Sequence, residues 1–209
     1  TLTGRFRFDK PGKYPVTFSA VSAYGCIGSV KDTITVLQKP QIAVSALSAV
    51  CQRDSIRFGA TANMANLQWR WNFGNGATDT LQRPSAKAFG DSGTYSVEVV
   101  AFNNPSCADT AVQTLVVNPL PQINLSPRDT LICKGDAITL QAHNGAQYEW
   151  TSNNALPQNT SSAIKVAPAQ NSFYKVRVTT AAGCHAEDSL KVTVSQPSDV
   201  RVKPTEITI

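Results

Sequence analysis

Three segments of the chain repeat one pattern, and this repeat constrains the possible folds more than any other feature. The segments read GKYPVTFSAVSAYGCIGSVKDTITVLQKP, GTYSVEVVAFNNPSCADTAVQTLVVNPLP and SFYKVRVTTAAGCHAEDSLKVTVSQP. Each has a tyrosine, alternating apolar residues, a loop with one cysteine, an aspartate and a second alternating run. Tyr14, Tyr95 and Tyr174 are separated by 81 and 79 residues. This regular spacing predicts tandem modules of one fold.

A second pattern fills the space between these segments. VCQRDSIRFGA with LQWRWNFGNG stands in one unit, and ICKGDAITLQA with AQYEWTSN stands in the next. We therefore predict the last part of a truncated module over 1–39, whole modules over 40–118 and 119–196, and the start of another over 197–209. The proline-containing connections LQKPQ, NPLPQ and SQPSD are too short to be flexible tethers, so neighbouring modules should have limited orientations.

The local pattern indicates the fold class. Short runs of alternating polarity are divided by Gly, Asn, Asp and Pro, and no long stretch has the 3.6-residue period of a helix. The apolar fraction of 42% is enough for two modest cores. We predict an all-β protein built of tandem immunoglobulin-like β-sandwiches.

The aromatic run LQWRWNFGNG raises the question of a binding surface. Trp69, Trp71 and Phe73 are two residues apart, so they share one face of a strand. That face is either the core of a sandwich or a platform for sugars or nucleic acids. The next module keeps aromatics at Tyr148 and Trp150, and a core requires large residues in every copy. The core is the favoured interpretation.

The five cysteines take two positions in the repeat. Each complete module has one cysteine before its second strand and one in its last loop, which predicts the disulfides Cys51–Cys107 and Cys133–Cys184. Cys26 occupies the last-loop position of the truncated module, so we expect its partner to be missing. Disulfides indicate an oxidising compartment. A zinc or redox site would need Cys-x-x-Cys, which is absent from the sequence, and a cysteine nucleophile would need a histidine base.

Charge and composition argue against several other functions. The net charge is +5, but the 19 Lys and Arg residues are dispersed, so we expect no nucleic-acid partner. No apolar run approaches the roughly 18–20 residues of a membrane span, so no membrane insertion is predicted. The two histidines, His143 and His185, sit at unrelated positions and are predicted to be surface or loop residues. No grouping of acids, nucleophiles or metal ligands marks a catalytic or cofactor site, so we predict no enzyme activity.

The stretch WNFGNG, followed by GTYSVEVVAFNNPSCADTAVQTLVVNPLP, resembles the polycystic-kidney-disease (PKD) repeat. The PKD signature is Trp-Asp-Phe-Gly-Asp-Gly followed by a late Gly-Thr-Tyr-x-Val strand. Asn72 and Asn75 replace both aspartates, which weakens the case for calcium binding there. The third module keeps its cysteine, the YEW triplet and the late tyrosine strand but lacks the Phe-Gly-x-Gly turn, so it is similar to a diverged PKD-like or Ig-like relative.

The cysteine positions are similar to those of PKD arrays in large secreted proteins of Bacteroidota. This resemblance implies export by the type IX secretion system and display at the cell surface as an adhesin or gliding-motility component. It implies a non-catalytic stalk or fibre whose partners are neighbouring repeats, other copies, or a surface glycan or protein. The alternative is an accessory module that binds glycan or calcium, with Tyr24 as a weak contact residue in the loop before Cys26.

A recurring triplet of Asp, Ser or Thr, and an apolar residue resembles the O-glycan acceptor motif of exported Bacteroidota proteins. The same triplet is also typical of a turn that leads into a strand, so fold alone can produce it. The predicted acceptors are Thr33, Ser55, Thr80, Thr110, Thr130 and Ser189.

Overall fold

The computed structural model describes residues 5–46, 48–104, 107–154, 156 and 159–196, and these residues form strands and loops without a helix. The predicted start of a further module at 197–209 lies outside the described residues. The strands are β1 (Gly12–Val21), β2 (Ile27–Val36), β3 (Ile42–Ser45), β4 (Ala49–Cys51), β5 (Ser55–Ile56), β6 (Gly59–Ala62), β7 (Gln68–Asn72), β8 (Thr78–Asp79), β9 (Lys87–Ala88), β10 (Gly93–Asn104), β11 (Cys107–Asn118), β12 (Asn124–Ser126), β13 (Thr130–Cys133), β14 (Ile138–His143), β15 (Gln147–Ser152), β16 (Ala163–Val166), β17 (Ser172–Thr179) and β18 (His185–Ser195).

The three repeated segments form the longest strands. β1 pairs antiparallel with β2, with Tyr14 opposite Ile34. β17 pairs antiparallel with β18, with Tyr174 opposite Leu190. β10 and β11 are neighbours in a larger sheet. These strands follow from the alternation of apolar and polar residues in each segment, because alternate side chains point to opposite faces of a strand.

The second repeat is a sandwich with an aromatic core. One sheet has the order β4-β11-β10-β7-β8, and the pairs β3-β6 and β5-β9 supply the remaining strands. Phe58, from the segment between β5 and β6, packs with its ring centre 6.1 Å from that of Trp71 and 5.0 Å from that of Phe73. Aromatic pairs at this spacing supply much of the buried area of a small β-domain.

The third repeat is a sandwich of two separate sheets. One has the order β12-β14-β16 and the other the order β13-β18-β17-β15, in which β13 runs parallel to β18. The core is made of apolar side chains from both sheets: Leu125, Leu140, Ala142, Trp150, Ile164, Val166, Tyr174, Val176, Val178, Leu190 and Val192. The alternating burial of β17 places Tyr174, Val176 and Val178 inward.

The described chain divides into two compact units. One holds the described residues up to 48 together with 55–89 and 94–116, and the other holds 49–54, 90–93 and the described residues from 117 onward. The predicted all-β class with immunoglobulin-like sandwiches is confirmed.

Candidate functional site

The aromatic run in the second repeat is a core and not a binding platform. Trp71 and Phe73 are fully buried and Trp69 is nearly so, while Gln68 and Arg70 on the opposite face of β7 are exposed. The Trp71 Nε1–H donates to the carbonyl oxygen of Leu81 at 2.8 Å. In the third repeat the buried Trp150 donates in the same way to Ser161 at 2.9 Å. The prediction of a core face is confirmed.

The turn after β7 is held by the two asparagines that replace the PKD aspartates. The Asn72 side-chain oxygen accepts from the Gly74 N–H at 3.0 Å, and the Asn75 oxygen accepts from the Ala77 N–H at 3.1 Å. Both amides therefore act as local turn caps, in which a short polar side chain bonds backbone two residues on. Among the described residues, no group of three or more His, Cys, Asp or Glu side chains could hold a metal ion.

The turn makes glycine necessary at position 74. Gly74 and Gly76 have φ of +75° and +86°, a region that side chains other than glycine rarely occupy. A Cβ at Gly74 would lie 2.8 Å from the Ser96 carbonyl oxygen, whereas a Cβ at Gly76 has open space. We expect Gly74→Ala to lower the free energy of unfolding by about 3 kcal/mol and Gly76→Ala by about 1 kcal/mol. Chemical denaturation of both variants checks this, and equal losses would contradict the close approach.

The Asp-Ser/Thr triplets lie mainly at exposed positions. Thr33, Ser55, Thr80, Thr110 and Ser189 are exposed and Thr130 is half-buried. In three triplets the aspartate accepts a hydrogen bond from the backbone N–H of the following Ser or Thr, at residues 32, 79 and 188. The aspartate therefore has a local structural role, and glycosylation of the hydroxyls stays a prediction.

Asp79 is the most enclosed of these aspartates. Lys87 Nζ lies 2.9 Å from Asp79 Oδ2 and 5.2 Å from the centre of the Phe73 ring. The backbone N–H groups of Thr80 and Leu81 donate to Asp79 Oδ1 at 2.8 and 3.1 Å. The hydrogen bond from Lys87, followed by that from Leu81, holds the pKa of Asp79 below its usual value. The pair connects β8 to β9.

This lowered pKa has a signed consequence for stability. The unfolded chain binds a proton to Asp79 near its ordinary value of 3.8 and the folded chain only at lower pH. The stabilisation is therefore present above that value and is lost as the pH falls through the folded pKa. We expect the melting temperature of Asp79→Asn to fall less than that of the wild type between pH about 5 and about 2. An equal fall in melting temperature for the two proteins over this pH range would contradict the prediction.

The cysteines before the second strand occupy equivalent places in both sandwiches, which we name the strand-end position. Cys51 ends β4, and the following Gln52 N–H donates to the Asn118 carbonyl at the end of β11. Cys133 ends β13, where it pairs with Ser195 at the end of β18. Each strand-end cysteine therefore lies beside the last residue of its repeat's final strand.

The cysteines of the last loops lie at the other end of the final strand of each repeat. We name this place the turn position. Cys107 begins β11, and Cys184 directly precedes β18. Eleven residues separate Cys107 from Asn118, and eleven separate Cys184 from Ser195. At about 3.3 Å per residue, each pair is about 36 Å apart along the strand. A disulfide requires Cα atoms within roughly 7 Å, so neither pairing can form.

The predicted disulfides Cys51–Cys107 and Cys133–Cys184 are both wrong. The structure has one disulfide in its described residues, between Cys51 and Cys184, with their Cα atoms 5.5 Å apart. Cys26, Cys107 and Cys133 are free. The prediction failed because it used sequence position within the repeat without the strand register.

The disulfide links two sequence repeats within one compact unit. Cys51 belongs to the second repeat and Cys184 to the third, and both lie in the unit that contains 49–54 and the residues from 117 onward. Cys184 is fully buried, and its sulfur lies 4.0 Å from the Asn118 carbonyl oxygen. The buried bond therefore fixes the turn at Cys184 beside the end of β11.

The β1–β2 hairpin has an exposed apolar face. Phe18 is 61% exposed and its cross-strand partner Val30 is 65% exposed. In the second repeat, the equivalent residues are Val97 and Val99, and both are fully buried. They follow Tyr95 by two and four residues, as Val16 and Phe18 follow Tyr14. The hairpin therefore has the pattern of a core face, and within the described part of the chain no second sheet covers it.

The remaining candidate residues lie at the surface. His143 and His185 are exposed at the end of β14 and the start of β18, as predicted. Tyr24 is 96% exposed in the turn before Cys26. Within the described residues, no helix is long and apolar enough to cross a membrane.

A known family model matches part of this chain. Residues 37–119 match the family model described as the PKD domain. A mouse protein, Polycystin-1-like protein 1, is 28% identical over an alignment that covers 70% of this chain and 6% of that protein. The PKD match covers the second repeat, and the described residues of the third repeat form a sandwich of the same all-β class.

Two bacterial proteins are among the solved structures that match this chain. A 1.5-MDa bacterial ice-binding adhesin gives a TM-score of 0.39 and 11% identity, with 90% of this chain and 76% of that chain covered. The SGBP-B protein of a Bacteroides ovatus mixed-linkage glucan utilization locus, in complex with a heptasaccharide, gives a TM-score of 0.33 and 17% identity, with 75% of this chain and 48% of that chain covered.

Proposed function

We propose that this chain is a non-catalytic structural segment of an extracellular surface protein, in which the repeats form a semi-rigid stalk or fibre. The observation that carries this proposal is the disulfide between Cys51 of the second repeat and Cys184 of the third. A covalent link between repeats limits how far the chain can extend if one sandwich opens. Such a link is useful to a protein that carries tension and has no evident use in an isolated binding module.

The disulfide also supports an extracellular location. Disulfides persist in oxidising compartments and are rare in the cytosol. The resemblance of WNFGNG and the cysteine loops to Bacteroidota arrays supports the finer proposal of type IX secretion and an adhesive or gliding role. The partners in this proposal are neighbouring repeats, other copies of the chain, and a surface glycan or protein.

The exposed hairpin face supports the proposed division of the chain into modules. Phe18 and Val30 form a core-like face over residues 1–39, which we propose to be the last part of a module. The strands that would cover this face would precede the hairpin in the full protein. We retain the proposed boundaries of 40–118 and 119–196 for the following modules.

Glycosylation is a separate part of the proposal. Five of the six predicted acceptor hydroxyls are exposed, which leaves space for an attached glycan. Intact-mass measurement of protein secreted by its natural host tests this part. A mass above that of the bare chain is expected, and the bare mass would remove the idea.

No contact in the described residues favours the alternative of a glycan- or calcium-binding module. Burial of Trp69, Trp71 and Phe73 removes the aromatic platform that sugar binding would use. Asn72 and Asn75 bond to the backbone of their own turn through the oxygens that a cation would require.

Single-molecule stretching tests the stalk function. The disulfide encloses a sequence separation of 133 residues, which cannot extend while the bond is intact. When fully unfolded, the reduced chain should therefore have a longer stretched length than the oxidised chain, by about 45 nm at roughly 3.4 Å per residue. Cys51→Ser is expected to match the reduced chain without added reductant. Equal lengths in oxidised and reduced protein would contradict the proposal.

A further inference from the structure

The observed disulfide follows a directional rule between repeats. It joins the strand-end position of the second repeat, Cys51, to the turn position of the third repeat, Cys184. The free cysteines of the described chain occupy these same two kinds of position: Cys133 is a strand-end cysteine, and Cys26 and Cys107 are turn cysteines.

Cys133 has the local structure of the bonded Cys51. The Asp136 N–H donates to the Cys133 carbonyl at 3.1 Å, as the Asp54 N–H donates to the Cys51 carbonyl at 3.1 Å. The next residue also bonds in the same way, since the Lys134 N–H donates to Ser195 at 3.0 Å and the Gln52 N–H donates to Asn118 at 2.8 Å. The sulfur atoms of Cys51 and Cys133 therefore lie at equivalent places on two sandwiches.

Cys26 has the local structure of the bonded Cys184. The Ser22 N–H donates to the Cys26 carbonyl at 2.9 Å, and the Thr180 N–H donates to the Cys184 carbonyl at 2.8 Å. The hydroxyls of Ser22 and Thr180 accept from the N–H of Cys26 and Cys184 at 3.1 and 3.2 Å. The glycine before each cysteine has a similar positive φ, +79° at Gly25 and +84° at Gly183.

The free cysteines at these two positions are more exposed than the bonded cysteines at the same positions. Cys184 is fully buried in its bonded turn, whereas Cys26 is exposed. Cys133 is exposed and borders an open depression whose lining includes Leu131, Ile132 and Ile138. Leu131 is 66% exposed, so apolar surface is available beside the thiol for an incoming turn.

We propose that Cys133 bonds to the turn cysteine of a following repeat, and that Cys26 and Cys107 each bond to the strand-end cysteine of the repeat before their own. Disulfides then join consecutive repeats along the whole array. The partner is a β-sandwich repeat of this same kind that carries the complementary cysteine. This inference rests on the proposed stalk of tandem repeats and identifies what connects its members.

Each bond forms by oxidation of two thiols. The two sulfurs lose two protons and two electrons and become one disulfide. The oxidant is a dissolved disulfide such as oxidised glutathione, which accepts the electrons and protons by thiol–disulfide exchange and is released as two thiols.

The full chain with its third repeat duplicated tests the rule. Residues 119–195 are inserted after Ser195, and the second copy carries Cys133→Ser so that one unpaired strand-end thiol remains. After oxidation in a glutathione buffer, thiols are alkylated and linked peptides are identified by mass spectrometry. We expect two linked pairs, Cys51 with Cys184 and Cys133 with Cys184.

The matched control removes Cys184 from the second copy only. We expect this control to lose the link to Cys133 and to keep the link to Cys51, because Cys133 and Cys184 of one repeat are too far apart to bond. An alkylated Cys133 in the duplicated chain that keeps both copies of Cys184, or a link to Cys133 that survives in the control, would overturn the inference.

The unmodified chain supplies a second measurement that does not depend on the duplicated repeat. Under the same oxidation, Cys26, Cys107 and Cys133 are expected to be alkylated in full, since none of them has its partner within this sequence. A disulfide between any two of the three free cysteines would overturn the rule. If Cys133 stays free in the duplicated chain while the stretching experiment still shows the longer reduced chain, the rule fails and the proposed function stands.

Discussion

Replacement of Cys51 by serine is expected to lower the free energy of unfolding by about 5 kcal/mol, because the disulfide closes a loop whose ends are 133 residues apart in sequence. A cross-link of this length removes a large part of the conformational entropy of the unfolded chain. Cys51 is half-buried, so the serine hydroxyl itself adds little penalty. Urea unfolding of the wild type and of Cys51→Ser measures the loss.

Cys133→Ser is the matched control, because Cys133 occupies the equivalent strand-end position and is exposed and free. It is expected to change the stability by less than about 0.5 kcal/mol, as most surface substitutions do. The wild type in reductant should behave as Cys51→Ser does. If Cys133→Ser destabilises the chain as much as Cys51→Ser, the assigned disulfide is wrong.

Replacement of Trp71 by alanine is expected to lower the free energy of unfolding of the second repeat by about 4 kcal/mol. Trp71 is fully buried, its ring stacks at 5.8 Å on Phe73, and its indole N–H donates to the Leu81 carbonyl. The alanine variant loses the buried area and leaves a cavity. Denaturation followed by far-ultraviolet circular dichroism, which does not depend on the deleted tryptophan, measures the change.

Two further variants separate the contributions at this position. Trp71→Phe keeps a ring but removes the N–H donor, and is expected to cost about half as much as the alanine variant. Arg70→Ala, on the exposed face of the same strand, is the control and should change stability by less than about 0.5 kcal/mol. A small effect of Trp71→Ala together with sugar binding that depends on Trp71 would contradict its assignment to the core.

The sequence was sufficient to predict the class of fold and the core positions. The 80-residue period and alternating polarity predict tandem sandwiches, and the spacing of Trp69, Trp71 and Phe73 predicts which face of β7 is buried. These inferences succeeded because successive side chains in a strand point to opposite faces, so the sequence alone shows which residues share a face. The WNFGNG stretch similarly predicted the PKD match over residues 37–119.

The disulfide could not be predicted from the same information. Position within a repeat shows that Cys51 is equivalent to Cys133 but not that β13 runs parallel to β18. That register is a long-range property, and it places the two cysteines of one module at opposite ends of a strand. The contacts of Asp79 with Lys87 were also missed, because the approach of β9 to β8 depends on how the connecting loop folds back.

Peptide mapping of the unreduced chain tests the central claim, a covalent link between consecutive sandwich repeats, most directly. After free thiols are blocked at low pH and the protein is digested, the account predicts one disulfide-linked peptide pair, which contains Cys51 and Cys184. A pair that joins Cys51 to Cys107, or Cys133 to Cys184, would contradict it.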